Sequence, residues 1–479
     1  MGLRERMHGA VGVPAVAEVR GTGSLESAFP VGDLAAGAVA VFADAAVALL
    51  EAIGTDPPGA SADPSRASAD PPRGTVDGAL AEAWFAQALR PVGWTLPSPW
   101  DPIAGDYRAA DGWIRLHTNA PRHRAAALRV LGVEPERATV GGAVERWPAD
   151  DLESAVVEAG GCAATMREAA AWATHRQGAA VAAEPLVAIE RTDATGTASA
   201  WRPTAHRPLA GLRVLDLTRV LAGPVATRAL AGLGATVLRV DPPDWDEPAL
   251  VPEMTLGKRT ARLDARTADG RARLHDLLAG ADVLVHGYRA DALDTLGLGG
   301  EQRRRIRPGL VDVALTAYGW SGPWAGRRGF DSLVQMSSGI AAAGMRWADA
   351  DRPVPLPVQA LDHATGWLMG AAVLAALQDR MRDGRGTAAR LSLARTGLEL
   401  QRTAAEVGGP ATADAGAGRS SGTAADRGAL PSASISTPWG PAELLEAPFV
   451  LAEVPFRFDT GPAPLGADAA EWPAPAPGR

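Results

Sequence analysis

A strand-like run, a helical period and a second strand-like run in immediate succession restrict this chain's fold more than any other feature. Leu212–Leu217 (LRVLDL) reads as a buried strand, Ala222–Leu233 as a helix and Ala235–Val240 (ATVLRV) as the next strand. Such a unit implies parallel pairing through a right-handed crossover. The alternation continues with helix Asp269–Ala279, strand Ala281–His286, helices Ala290–Leu296 and Gly300–Arg305, and strand Leu310–Leu315. Helices then begin at Asp331 and at Asp362. The predicted fold class is α/β: a Rossmann-like large domain with an open, doubly wound parallel sheet.

Before that region the pattern is different. A helix over Leu80–Leu89, an ordered loop over Pro91–Pro102 and a hairpin around Asp111-Gly112 lead into four helical segments, Arg122–Leu131, Val140–Arg146, Asp150–Ala159 and Ala163–Ala173. These make a small α+β domain. With 479 residues, 47% of them hydrophobic, the chain can bury more than one core. The expected division is an N-terminal segment with an apolar helix (1–53), a flexible linker (54–79), the small α+β domain (80–187), the large domain (208–400), a low-complexity linker (405–430) and a C-terminal tail (431–479). Residues 1–23 are expected to be loose, and 188–207 to form a polar connection.

Composition excludes several functions. A net charge of −8 gives no global attraction to nucleic acid or an anionic membrane, so an anionic ligand must be held by local basic residues. The single cysteine, Cys162, rules out an intramolecular disulfide or a cysteine-based zinc site, and its Gly/Ala neighbours favour packing. No stretch offers 18 apolar residues free of glycine and charge, so a soluble, unprocessed, cytoplasmic protein is expected. His117, His123 and His175 lack metal-ligand spacing, which leaves surface or capping roles and no metal site.

Two acidic positions invite chemistry. Asp241, closing the strand-helix-strand unit, would suit a dinucleotide site. Yet the turn Asp216-Leu217-Thr218-Arg219-Val220-Leu221-Ala222-Gly223-Pro224 carries one glycine, not the G-x-G-x-x-G fingerprint. Asp362 precedes a long Ala/Leu/Val helix. It reads either as an N-cap or as a reactive carboxylate, with Ala364 and Gly366 leaving room for another molecule. Asp33-Leu34-Ala35-Ala36-Gly37 echoes the same stretch ahead of a second apolar helix. The one lysine, Lys258, stands beside Arg259.

The run PLAGLRVLDLTRVLAGPVATRALAGLGATVLRVD, then Gly257-Lys258-Arg259, the block Ala281–Arg289, Gly319-Trp320-Ser321-Gly322-Pro323-Trp324, Gly329-Phe330-Asp331 and finally Asp362 resemble the family III CoA-transferases, the carnitine-dehydratase and bile-acid-inducible group. The region before them resembles the family's small domain out of its usual order, with Asp33 and its helix as a vestige of a second catalytic stretch. The resemblance implies an enzyme that moves CoA between an acyl-CoA thioester and a carboxylic acid through an aspartyl anhydride and an aspartyl-CoA thioester. Asp362 aligns with the reacting aspartate. The same resemblance assigns Val220, Leu221, Ala222, Leu263, Arg266, Gly287, Tyr288, Arg289 and Arg328 to CoA. CoA and acyl-CoA are then substrates, with no tightly bound cofactor, and a homodimer is implied. Related acyl-CoA racemases use a histidine where Phe330 stands, so a racemase or isomerase is the first alternative and a CoA-binding protein without turnover the second.

Overall fold

The computed structural model describes residues 1–21, 23, 25–54, 74–195, 201, 203–289, 292–406, 408, 430–451 and 454–474. Most of the two expected linkers, 54–79 and 405–430, lies outside the described residues.

The first strands are short: β1 (Glu18–Arg20), β2 (Gly74–Asp77), β3 (Leu89–Pro91), β4 (Gly105–Arg108), β5 (Trp113–Leu116) and β6 (Ala163–Thr165). The large sheet uses β7 (Ala188–Thr195), β8 (Arg213–Leu217), β9 (Thr236–Asp241), β10 (Lys258–Arg262), β11 (Val283–His286), β12 (Val311–Thr316) and β13 (Arg385–Ser392). A C-terminal group, β14 (Ser432–Thr437), β15 (Gly440–Leu445) and β16 (Phe449–Leu451), completes the set. The large sheet runs β10-β9-β8-β11-β12-β13-β7, parallel except for β7. Its order reverses between β8 and β11. Their Val/Leu-rich sequences fit burial on both faces.

The interior is built around the Ala360–Asp383 helix. Gln359 is its N-cap, and Gly384, at φ 71°, closes it in the left-handed conformation that glycine adopts without steric cost. The equally long Val31–Gly54 helix lies against it, with Phe42 edge-on to Trp367 at 5.0 Å between ring centroids. Both helices are long and apolar enough to cross a membrane, but they are largely buried inside the protein. Asp33 is exposed on the first turn of its helix, so it lacks the burial of Asp362.

Several expectations need correction. Residues 1–23 hold the Leu3–Val11 helix and β1. The helix expected over Ala163–Ala173 begins as β6, which pairs with β5, and becomes helical only at Ala169. The polar connection at 188–207 contains β7, which adds to the large sheet and puts that unit's start before residue 208. Leu89 ends no helix; it starts β3, which pairs with β15 of the tail. The tail then covers the outer edge of β10, where Asp468 N–H donates to Thr260 O at 2.8 Å and Arg259 pairs with Asp468 at 2.9 Å.

Candidate active site

At the reversal of strand order the loops after β8 and β11 diverge and leave a crevice at the carboxyl edge of the sheet. Here lies a cavity of about 320 Å³. Thr218, Arg219, Val220 and Ala222 line it from the β8 loop, Gly287, Tyr288 and Arg289 from the β11 loop, and Leu315, Thr316 and Ala317 from β12. Val220 has φ 67°, a left-handed conformation that strains a β-branched residue. Its N–H donates to Glu247 Oε2 at 3.0 Å, and Glu247 is held in turn by buried Arg239 and by Trp245 Nε1. A buried ionic network thus fixes the turn against its own preference.

Asp362 forms part of the same wall and is buried. It does not cap its helix. Its N–H instead donates to Asp331 Oδ2 at 2.9 Å, and the Leu361 amide also bonds to Asp331. Gln335 Nε2 donates to the other oxygen of Asp331, while Gln335 Oε1 accepts from Leu356 N–H at 2.7 Å. Asp331 therefore satisfies first-turn amides from outside the helix, which leaves the Asp362 carboxyl free to face the cavity. Among the described residues nothing donates a hydrogen bond to that carboxyl. Burial, with the nearby charge of Asp331 added, pushes its pKa well above the ordinary carboxylate range. Asp331 rises to about 6 by burial, against the opposing hydrogen bonds from Gln335 and the two amides.

Of the residues assigned to CoA, Val220, Ala222, Gly287, Tyr288, Arg289 and Arg328 line the cavity with Asp362. Leu221 lies in the same turn, but its side chain is buried in the core. Leu263 packs among the Leu/Val side chains on one face of the sheet, and exposed Arg266 is tied to Asp264 at 2.7 Å, so neither reaches the cavity. Lys258 is buried, its ammonium on Asp216, Thr227 and the Pro224 carbonyl, where burial lowers its pKa to about 8 despite Asp216. It braces the strand and is not among the residues lining this cavity. Gly366 serves packing, since a Cβ there would come within 2.4 Å of Ala222 O on the neighbouring helix. His363 points away, stacked on Phe85, and burial lowers its pKa to about 3.

The sequence reading missed Arg122, His123, Arg219, Trp245, Arg327 and Phe330 as lining residues. Arg219 stood in the turn already singled out. Arg122 and His123 had no local signal, because they arrive from the Pro121–Leu131 helix of the small α+β region. His123 is buried and His117 stacks on Phe330 at 3.7 Å between centroids, so neither is a surface residue; His175 caps the Arg176–Ala183 helix. Cys162 is packed, and burial lifts its thiol to about 12. Among the described lining residues five are arginines and Asp362 is the one acid, which suits an anionic ligand of several charges.

Part of the chain is similar to known proteins. Residues 209–433 match the family model for CoA-transferase family III. The chain is 35% identical over 212 residues to the acetyl-coenzyme A transferase nodX of Hypoxylon pulicicidum, covering 42% of this chain and 36% of that protein. It is 35% identical over 194 residues to succinyl-CoA:glutarate CoA-transferase of Mus musculus, covering 38% and 44%. A crystal structure of Rv3272 from M. tuberculosis aligns with 32% identity over 43% of this chain and 58% of that one, at a TM-score of 0.40. The chain thus spans about half or less of the length of these two enzymes. The matched stretch, 209–433, holds strands β8 to β13 of the large sheet, most of the cavity lining and Asp362, and is similar to CoA-transferase family III.

Proposed function

We propose that the chain is a CoA-transferase in which Asp362 carries the reaction. The observation behind this reading is a buried carboxyl group without a hydrogen-bond donor among the described residues, facing an arginine-lined cavity at the carboxyl edge of the sheet. An Asp362 oxygen attacks the thioester carbonyl carbon, the C–S bond breaks, and CoA leaves as thiolate from a mixed anhydride. The thiolate then attacks the Asp362 carbonyl, releasing the donor acid and leaving CoA as a thioester on Asp362. The acceptor carboxylate attacks that thioester and frees the thiolate again. Thiolate attack on the acceptor's acyl carbon yields the new acyl-CoA and restores Asp362.

Each residue's part follows from its position. The arginines hold phosphates and carboxylates. Burial removes water from around Asp362, which raises its basicity and so its nucleophilicity once it is ionised. The reaction therefore speeds up as pH rises. Phe330 offers no proton-transfer group, which disfavours two-base racemisation.

The test is trapping. Protein incubated with acyl-CoA and quenched with hydroxylamine should show a hydroxamate at Asp362 by mass spectrometry, absent from Asp362→Ala. CoA binding without an adduct from any thioester would identify a binding protein instead.

A further inference from the structure

The first turn of the Ala360–Asp383 helix aims the Asp362 carboxyl, and the groups that hold this turn lie outside the helix. Between Trp347 and Ala360 the chain has no helix or strand. It is fastened there by Val354 N–H, which donates to Ala341 O at 3.3 Å, and by Leu356 N–H, which donates to Gln335 Oε1 at 2.7 Å. Gln335 follows Asp331 by one turn of the Asp331–Ser337 helix, so the two side chains meet on one face. Both are buried. Gln335 Nε2 donates to Asp331 Oδ1, while Asp331 Oδ2 accepts the Asp362 N–H at 2.9 Å. One side-chain amide thus ties the approach to the helix and, through Asp331, its first turn.

The chemistry at its two ends leaves this amide one orientation. A backbone N–H needs an acceptor, which only Oε1 supplies; a carboxylate needs a donor, which only Nε2 supplies. Turning the amide over would set N–H against N–H and oxygen against oxygen. Of the charged groups on the elements packed around Asp331, Arg115 on β5 is paired with Asp106, Arg346 with Glu168, and Arg395 with Glu399, while His363 turns away onto Phe85. Gln335 is not among the residues lining the cavity. We propose that Gln335 is a positioning residue for Asp362: by joining Leu356 to Asp331 it fixes the first helical turn with the Asp362 carboxyl toward the cavity. The proposal rests on the reading of Asp362 as the reacting group and adds the residue that orients it.

Gln335→Glu nearly keeps the shape and so tests the hydrogen bonds alone. The protonated form of the introduced carboxyl can accept from Leu356 N–H and donate to Asp331; its ionised form loses the donor and repels Asp331. Two readouts on the full chain are followed from about pH 5.5 to about pH 8.5. One is the rate of Asp362 acylation by acetyl-CoA, taken as a ratio to the parent; the other, which needs no turnover, is amide hydrogen exchange over residues 356–366 by mass spectrometry. The ratio should lie within about twofold of one at the acid end and fall at least about tenfold by the alkaline end, with exchange faster than in the parent only there. Gln335→Met, which lacks the amide, should be at least about tenfold slower at every pH, with CoA affinity by calorimetry within about twofold of the parent. If the parent is not acylated while Gln335→Glu still loosens 356–366 on the alkaline side, the transfer reading fails and the positioning role stands. A Gln335→Glu ratio that does not change with pH, or exchange equal to the parent throughout, overturns the proposal, and this holds even if Gln335→Met does not fold.

Discussion

Two carboxyl groups share one buried corner, and their division of labour explains the site. Asp331 accepts the amides that an N-cap would have taken, so Asp362 can be an acid of the first turn without serving the helix. Both are harder to ionise than free aspartates, for which a value of 3.8 is ordinary. The unfolded chain loses these protons near its ordinary values, whereas folded Asp331 holds its own to about pH 6. Both therefore favour folding in mild acid, and the Asp331 contribution is lost as pH rises from about 4 through 6. Asp331→Asn keeps an acceptor oxygen and removes the charge. In that variant the pH midpoint for Asp362 acylation should move to lower pH, and stability should depend less on pH between 4 and 6. An unchanged midpoint would show that Asp331 acts only as a structural cap.

Small residues on the Ala360–Asp383 helix decide how closely elements meet. Gly366 lets the backbone of the Ala222–Gly232 helix approach, and Gly370 does the same for the Phe42 ring, 2.9 Å from a built Cβ. Ala364 is buried too, so the space that the sequence reading reserved for a ligand is taken by packing. Gly366→Ala would force apart the two helices whose first turns carry Ala222 and Asp362. The expected cost is about 1–3 kcal/mol in urea unfolding, with slower acylation of Asp362. Full activity with lower stability would mean that the site tolerates the shift.

On the scale of the whole molecule, the small α+β region is clamped over the crevice by ion pairs. Buried Glu153 bonds Arg167 from its own region and Arg327 from the cavity wall. Burial alone would raise its pKa, but the two arginines outweigh that and hold it below the ordinary range. Its contribution is thus present above the unfolded value and lost as pH falls through the folded one. Glu153→Gln leaves two guanidinium groups without their shared carboxylate, and should cost roughly 3–5 kcal/mol in denaturant unfolding at neutral pH. The penalty should shrink in acid. A variant as stable as the parent would show that the clamp is unimportant. Arg122 and His123 of this region line the cavity beside Phe330 and Arg328.

Most strands and helices from Leu212 to Leu315, and the helix after Gln359, were legible because burial on two faces and helical periodicity are written in neighbouring residues; β10 was not, and among the described residues only a 3-10 turn at Asp294–Leu296 stands in the expected helix Ala290–Leu296. The same local pattern put a turn at Val220 and a helix start at Asp362, while their assignment to CoA and to the reaction came from the family resemblance. β7 was not, since eight residues of mixed polarity become a strand only when β13 offers an edge to pair with. Nor was the closing wall. Arg122 meets the cavity, and Asp331 replaces the cap of a helix it does not belong to, through contacts between distant parts of the chain that no short stretch encodes.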